Sequence, residues 1–247
     1  LKNKVALVTG GSDGIGKAVA TSLSTEGAKV FICARRAKIL ETASVDIKKS
    51  TGGEIMPIPA DVTNPDHLKS LFDTIISTQG RIDILVNNAG TSSASYFQNV
   101  TDDAWHADLD LKLFAAIRCS RIAIPHMKIQ GGGRIINITT PSGKTPGQSS
   151  VPTSVSRAAG IALTKALSKD YAADNILVNT VCIGLIKSGQ THRRYDLRKK
   201  SDPALTLDGF WAKLANERGV PLGRVGESQE AGDVITFLAS ERASYLT

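Results

Sequence analysis

The 247-residue sequence predicts a doubly wound α/β fold, a mostly parallel sheet with helices on both faces in three α/β/α layers. Three observations predict it. Short apolar runs alternate with stretches of helical periodicity from end to end. The stretches between runs are long enough for the crossover helices that parallel strands require. No linker rich in Pro, Gly or Ser, internal repeat or low-complexity tract divides the chain, so 1–247 reads as one domain.

Val5-Ala6-Leu7-Val8 is a buried-strand run, followed by Ile15, Ala18, Val19 and Leu23 at helical spacing. Val30 to Cys33 is the second strand, and a polar helix over 37–51 is stopped by Gly52-Gly53. Ile55 to Ile58 reads as a third strand, before an amphipathic helix marked by Leu68, Leu71, Phe72, Ile75 and Ile76. A strand at Ile82–Val86 leads into a long helix from about Thr101 to Met127. Arg134–Ile138 is the fifth strand. Ala159, Ala162, Leu163, Ala166 and Leu167 stripe the next helix, and Ile176–Val181 makes the sixth strand.

Composition excludes several classes. With 41% hydrophobic residues the chain supports a sizeable core, and no apolar run approaches the roughly 20 residues of a membrane span. Three scattered cysteines, Cys33, Cys119 and Cys182, make neither a disulfide framework nor a metal cluster. No metal site is expected, and no signal-peptide pattern opens the sequence, so a cytoplasmic setting is expected. Thirty Lys and Arg against 23 acids give a formal charge of +7, which suits a nucleic-acid surface, an anionic ligand or plain solubility. No nucleic-acid-reading motif appears, and neither a nucleic acid nor a membrane is expected as partner.

Between the first strand and the first helix lies Thr9-Gly10-Gly11-Ser12-Asp13-Gly14-Ile15-Gly16. A dinucleotide pyrophosphate needs such a turn: glycines let the backbone approach, and free N–H groups at the helix start face the anion. Gly10, Gly14 and Gly16 have a spacing that resembles the T-G-x-x-x-G-x-G of the short-chain dehydrogenase/reductase family. Asn87-Asn88-Ala89-Gly90 matches that family's N-N-A-G, and Asp61-Val62 resembles its adenine-contacting pair. Asn179 matches the Asn before its P-G turn, which reads Ile183-Gly184 here. The likeness runs nearly the whole length and implies a Rossmann-like fold, a nicotinamide cofactor and hydride transfer between that cofactor and a carbonyl or hydroxyl of a small molecule.

The resemblance also implies which cofactor and which chemistry. Members that bind NAD usually carry an acid at the end of the second strand. This chain has Ala34 and then Arg35-Arg36, whose guanidinium groups suit a 2′-phosphate. NADP is therefore expected in preference to NAD, although Asp13 in the glycine loop argues the other way. Ser12, Asp13 and Ile15 in that loop, Asn88, Ala89, Gly90, and further on Ile186 and Ser188 complete the expected cofactor set, with Ser188 at the position of a Thr that contacts the nicotinamide amide.

The family passes its proton through a Tyr, with a Lys, a Ser and an Asn around it. Aligned through Gly133-Arg134-Ile135-Ile136, the Ser position holds Thr140, the Tyr position Thr153 and the Lys position Arg157; counting seven residues from Trp105 and fifteen back from Met127 puts Lys112 at the Asn position. All four depart from the pattern. A Thr hydroxyl is a far weaker acid than a phenol with pKa about 10. Arg157 fixes and polarises but relays no proton, and is expected to hold the ribose hydroxyls. Thr140 is expected to keep the orienting role. Lys112 is the one new titratable group, expected to have its pKa lowered by like charge from Arg157 and an oxidised nicotinamide ring, and so to act as replacement acid. The bland alternative has Lys112 snorkelling to solvent and Thr153 as filler.

Two readings of function follow: an NADP(H)-dependent oxidoreductase with an atypical proton relay, or a nucleotide-binding protein with little or no dehydrogenase activity or a non-redox reaction on an anionic substrate. Tyr96-Phe97 either lines the substrate pocket or is packing. The segment at about 185–220 is expected to form a substrate lid. From Leu185 to Lys200 it carries Lys187, Arg193, Arg194, Arg198, Lys199 and Lys200 against Asp196 alone, which fits attraction of an anionic cofactor or substrate. The chain ends at Ser244-Tyr245-Leu246-Thr247, before the glycine turn and last strand of typical members. The resemblance implies a homo-oligomer, dimer or tetramer, whose state this leaves open.

Overall fold

The first apolar run folds as β1 (Val5–Thr9), buried along its whole length as a central parallel strand requires. The computed structural model describes residues 1–247. The chain continues through α1 (Gly14–Thr25), β2 (Lys29–Ala34), α2 (Ala37–Thr51), β3 (Ile55–Pro59), α3 (Pro65–Gln79) and β4 (Ile84–Asn87). All strand pairs are parallel, and the sheet order is β3-β2-β1-β4, continued by β5 (Gly133–Thr139) and β6 (Ile176–Cys182). Strand order reverses between β1 and β4, which opens a crevice at their carboxyl ends, the usual ligand position in such sheets.

Alternation along β1 divides the core. Val5 and Leu7 face a cluster with Phe31, Leu68, Phe72, Cys119 and Met127, while Ala6 and Val8 face another with Val19, Leu23, Leu40 and Ile235. Each fully buried Leu, Ile or Phe contributes about 1.5–3 kcal/mol relative to exposure. The second cluster is closed by α9 (Ser228–Leu238), which lies so near α1 that a Cβ on Gly232 would come within 3.1 Å of Ala18 backbone. Asp83, just before β4, accepts from Val5 N and pairs with Arg81 and Lys4, pinning the other end of the sheet.

Two helices differ from expectation in ways that shape the crevice. The long helix is α4 (Asp102–Leu109) and α5 (Ala115–Ile129), joined by one π-helical turn over Asp110–Phe114, with Thr101 as the N-cap. The second is α6 (Thr153–Tyr171), whose buried face is Thr153, Ser156, Gly160, Thr164 and Ser168, whereas Ala162 and Ala166 of the expected stripe are exposed. Small side chains bring α6 close to β5, and their hydroxyls find partners there: Asn137 Nδ2 donates to Thr164 Oγ1 at 2.9 Å. Asn87 in turn donates to Asn137 Oδ1 at 2.8 Å, so a polar chain crosses the core beneath the crevice.

After β6 come α7 (Gly189–Ser201) and α8 (Leu207–Glu217). They have a small core of their own, with Phe210, Trp211, Leu214 and Val225. No helix is long and apolar enough to cross a membrane.

Candidate active site

At the amino-terminal wall of the crevice the glycine loop is shaped by what it lacks. Gly10 (φ +66°) and Gly14 (φ +53°) adopt left-handed conformations. A Cβ on Gly16 would lie 2.2 Å from Gly10 O and 2.5 Å from Asn88 Nδ2. Asn88 Nδ2 donates to Thr9 O at 2.9 Å, and Thr9 Oγ1 accepts from Asn88 N and Ala89 N at 3.0 Å. The loop and the Asn88-Ala89-Gly90 turn are thus one unit. Ile15 and Gly16 N–H, in the first turn of α1, have no acceptor within the protein. A cradle of bare backbone with unused donors fits a pyrophosphate.

Asp13 differs from the rest of the loop. Its carboxylate caps α1, accepting from Gly14 N at 2.7 Å, and so occupies a donor that an anion would use. Its other oxygen abuts the start of α7: a Cβ on Gly189 would fall 1.8 Å from Asp13 Oδ2. The same approach sets Ser188, the N-cap of α7, against Gly14. Ile186 bridges to Gly226 beside it.

Arg35 and Arg36 at the end of β2 are exposed, with no carboxylate within salt-bridge range. Asp61 lies near Arg35. Burial pushes its carboxyl up, but bonds from Thr63 N and Oγ1 and the charges of Arg35 and His67 outweigh that and hold it below the usual carboxylate range. Val62 is buried in the core behind it.

Three of the four substituted positions, Lys112, Thr153 and Arg157, come together beside Gly90, and the structure corrects what was expected of Lys112. Its side chain is 0% exposed, so it does not snorkel. Lys112 Nζ donates to Thr153 Oγ1 at 3.0 Å and forms an ion pair with Asp108, equally buried and one turn earlier on the helix. Its pKa is lowered, but chiefly by burial. Asp108 pulls it back up, and repulsion from Arg157 is the smallest influence. The added cation is also offset by the Asp108 carboxylate, which removes one support for an anionic substrate.

Thr153 Oγ1 accepts from Lys112 and from Ser93 N at 2.9 Å, and donates to no protein group. Arg157 Nη1 donates to Ile138 O at 2.6 Å, its Nε is buried without a partner, and a Cβ on Gly90 would lie 2.7 Å from its Nη2. Burial lowers the Arg157 pKa, with Asp108 acting against it. Thr140 Oγ1 and Ser142 Oγ are 2.6 Å apart.

Asp108, Ser156, Ser93 and Ser142 were missed from sequence. Ser156 Oγ donates to Asp108 Oδ2 at 2.6 Å. One signal was available: a lysine on a buried helix face requires a counter-charge, and a carboxylate four residues away supplies it. Tyr96 and Phe97 are 52% and 67% exposed, so they are not core packing. The lid charges are less concentrated than they read. Lys187 pairs with Glu227 and Arg198 with Glu217, while Arg193, Arg194 and Lys200 are exposed. No group of His, Cys, Asp and Glu is arranged to hold a metal.

A parallel sheet of this order, with a glycine cradle at its switch point, defines a dinucleotide-binding fold of the Rossmann-like class. Residues 4–199 match the family model for short chain dehydrogenase. The chain belongs to the short-chain dehydrogenase/reductase family. It is 32% identical to the 3-oxoacyl-acyl-carrier-protein reductase of Thermotoga maritima, over 100% of this chain and 94% of that protein. The L-sorbose reductase of Gluconobacter frateurii, solved with NADPH and L-sorbose, superposes with a TM-score of 0.95 at 32% identity, covering 100% and 93% of the two chains. A short chain oxidoreductase of Pseudomonas aeruginosa PAO1, solved with NADPH and described as containing an atypical catalytic center, superposes with a TM-score of 0.92 at 33% identity, covering 100% and 93%.

Proposed function

We propose that the protein is an NADP(H)-dependent oxidoreductase acting on a small carbonyl or hydroxyl compound, with a proton relay in which Lys112 works through Thr153. The contact between Lys112 Nζ and Thr153 Oγ1 carries this reading. Both acceptor sites of that hydroxyl are taken, so the one thing it has left to offer is its proton. The buried Lys112 reaches the crevice through it.

The chain's own residues divide the work. Ser12, Ile15 and Gly16 of the loop, with Gly10 and Gly14, would hold the pyrophosphate, and Asp13 would have to yield some of its capping role. Arg35 and Arg36, exposed and unpaired, suit a 2′-phosphate, which favours NADP over NAD; the NADPH in the Gluconobacter and Pseudomonas structures supports the same choice. Asp61 and the backbone of Val62 would flank the adenine, Asn88, Ala89 and Gly90 the middle of the dinucleotide, Arg157 the ribose hydroxyls, and Ile186 and Ser188 the nicotinamide end.

NADPH, when bound, supplies a hydride to the substrate's carbonyl carbon. Thr153 gives its proton to the oxygen and takes one from Lys112 in the same event, which avoids a Thr alkoxide. Lys112, neutral beside Asp108, regains a proton from water by the same route after product leaves. Thr140 with Ser142 would orient the reacting oxygen. Residues 185–220, at the far wall within the single domain 1–247, would form the lid, and Tyr96-Phe97 the pocket mouth. With Lys112 paired to Asp108, Arg157 is the cation of this cluster without a salt-bridge partner and would be the one to meet a substrate carboxylate.

The test is turnover of purified protein with NADPH on a broad carbonyl panel, keto acids included, beside Lys112→Met. Reduction that Lys112→Met lowers by about 100-fold or more, the range of general acid catalysis, supports the reading. No turnover on any carbonyl overturns it in favour of a nucleotide-binding or non-redox role.

A further inference from the structure

Asp108 is a fully buried carboxylate that the hydride-transfer scheme does not use. Buried charges persist when paired and hydrogen-bonded, and each Asp108 oxygen is engaged: Oδ1 by Lys112 Nζ and Oδ2 by Ser156 Oγ at 2.6 Å. Ser156 lies three residues beyond Thr153 on the same face of α6, and its Oγ is also 3.0 Å from Thr153 O. The links therefore close a ring. Lys112 joins Asp108, Asp108 joins Ser156, Ser156 is on the helix turn that carries Thr153, and Thr153 returns to Lys112.

From this ring we infer that Asp108 and Ser156 are a positioning pair, locking the fully buried Lys112 ammonium onto Thr153 and keeping it charged. This rests on the proton-relay reading above and adds to it two residues that need not touch substrate or cofactor. The geometry assigns each a separate task. A lysine has three donors and four flexible carbon–carbon torsions; one donor is fixed by Asp108 and one by Thr153, leaving little freedom. Ser156 fixes the carboxylate in turn, since an Asp held at one oxygen still rotates, whereas one held at both does not.

The charges around Lys112 are few. Asp108 faces it from α4 and Arg157 from α6, one favouring its protonated form and the other opposing it. The turn after β4 brings Ser93 N–H to Thr153 and Gly90 against the Lys112 stem, neither of them charged. Asp108 is thus the one group that offsets both burial and Arg157. Without its charge, Lys112 loses its proton at lower pH, and the relay is empty over more of the working range.

The deciding measurement has a reading independent of turnover. In protein carrying 15N-labelled lysine, free of cofactor, the Lys112 Nζ resonance is followed with pH for wild type, Asp108→Asn and Ser156→Ala. Lys112 is expected to titrate at lower pH in Asp108→Asn, and by a smaller step in Ser156→Ala, while Ser156→Thr restores the wild-type value. In kinetics, the pH above which reduction fails moves down in the same order. kcat falls about 10- to 100-fold for Asp108→Asn, the usual effect of removing an outer-shell partner. NADPH affinity changes less than about 2-fold.

An unchanged Lys112 titration in Asp108→Asn overturns the pair, even where kcat falls, because a structural role alone would produce that fall. Should Asp108→Asn fail to fold, Ser156→Ala keeps the ion pair and decides by the same shift. Failure of the relay itself is distinguishable: Lys112→Met then reduces carbonyls at the wild-type rate, whatever the titration shows.

Discussion

The two walls of the crevice are made of different materials. The wall at β1 and α1 is backbone: three glycines, unused N–H groups and an Asn that ties two turns together. The wall at α4 and α6 is side chain: a buried ion pair, two hydroxyls and a half-buried guanidinium. A backbone wall depends on a few residues that must be small. A side-chain wall tolerates exchange of every member, provided charge and hydrogen bonds are balanced again. Lys112 is accommodated in this core because Asp108 supplies its counter-charge.

The sharpest way to break the contrast is to unbalance the side-chain wall. Lys112→Met leaves the Asp108 carboxylate buried without a counter-charge, held by Ser156 only, and is expected to cost about 3–5 kcal/mol in denaturant unfolding. Lys112→Met with Asp108→Leu recovers most of that. If the double variant is no more stable than the single one, the pair is not a balanced unit. On the backbone wall no partner change rescues an added side chain. Gly16→Val, forced against Gly10 O and Asn88, should weaken NADPH binding about 100-fold, or about 2.7 kcal/mol, in a titration of cofactor fluorescence.

The pH dependence sharpens the comparison further. Lys112 must be protonated to start the relay, and its pKa is below the ordinary lysine value. Reduction is therefore full on the acid side and falls about tenfold per pH unit above that lowered pKa. A rate that holds level through ordinary lysine pH would exclude Lys112 as the source. A smaller effect is expected where side chains meet the backbone wall. Arg35→Ala with Arg36→Ala should lose about 10-fold in NADPH affinity, about 1.4 kcal/mol, and leave NADH affinity unchanged. The smallest belongs to α7. Arg193→Gln, Arg194→Gln and Lys200→Gln together should change the NADPH KM less than about 3-fold, while flattening its rise with salt.

The same contrast explains what could be read from sequence. Glycine spacing after a strand and Asn88-Ala89-Gly90 report backbone conformation directly, and the alternating runs report a parallel sheet. The substituted positions were locatable by counting from Trp105 and from the β5 run. Their neighbours were not, because Asp108 and Ser156 belong to the ring only when α4 and α6 pack together. The buried face of α6 was misread for a related reason. Apolar periodicity assumes that a helix buries its largest side chains, yet here Gly160, Thr164 and Ser168 are buried so that the helix can approach β5. Burial of small polar residues leaves no hydropathy signal.

Thr153 is 8% exposed, and its hydroxyl is held by Lys112 on one side and Ser93 on the other. A tyrosine ring extending along that direction meets the lysine head, and an Arg157→Lys change alone gives up the bond to Ile138 O that anchors this part of the helix. The usual family tetrad is consequently several exchanges away, and two of them are obstructed singly: Lys112→Asn strands the buried Asp108 charge, and Thr153→Tyr sets a ring against Lys112. A library searching for the ordinary chemistry in this protein has to vary positions 108, 112, 153 and 157 together, since these side chains interact and the effects of changing them do not add.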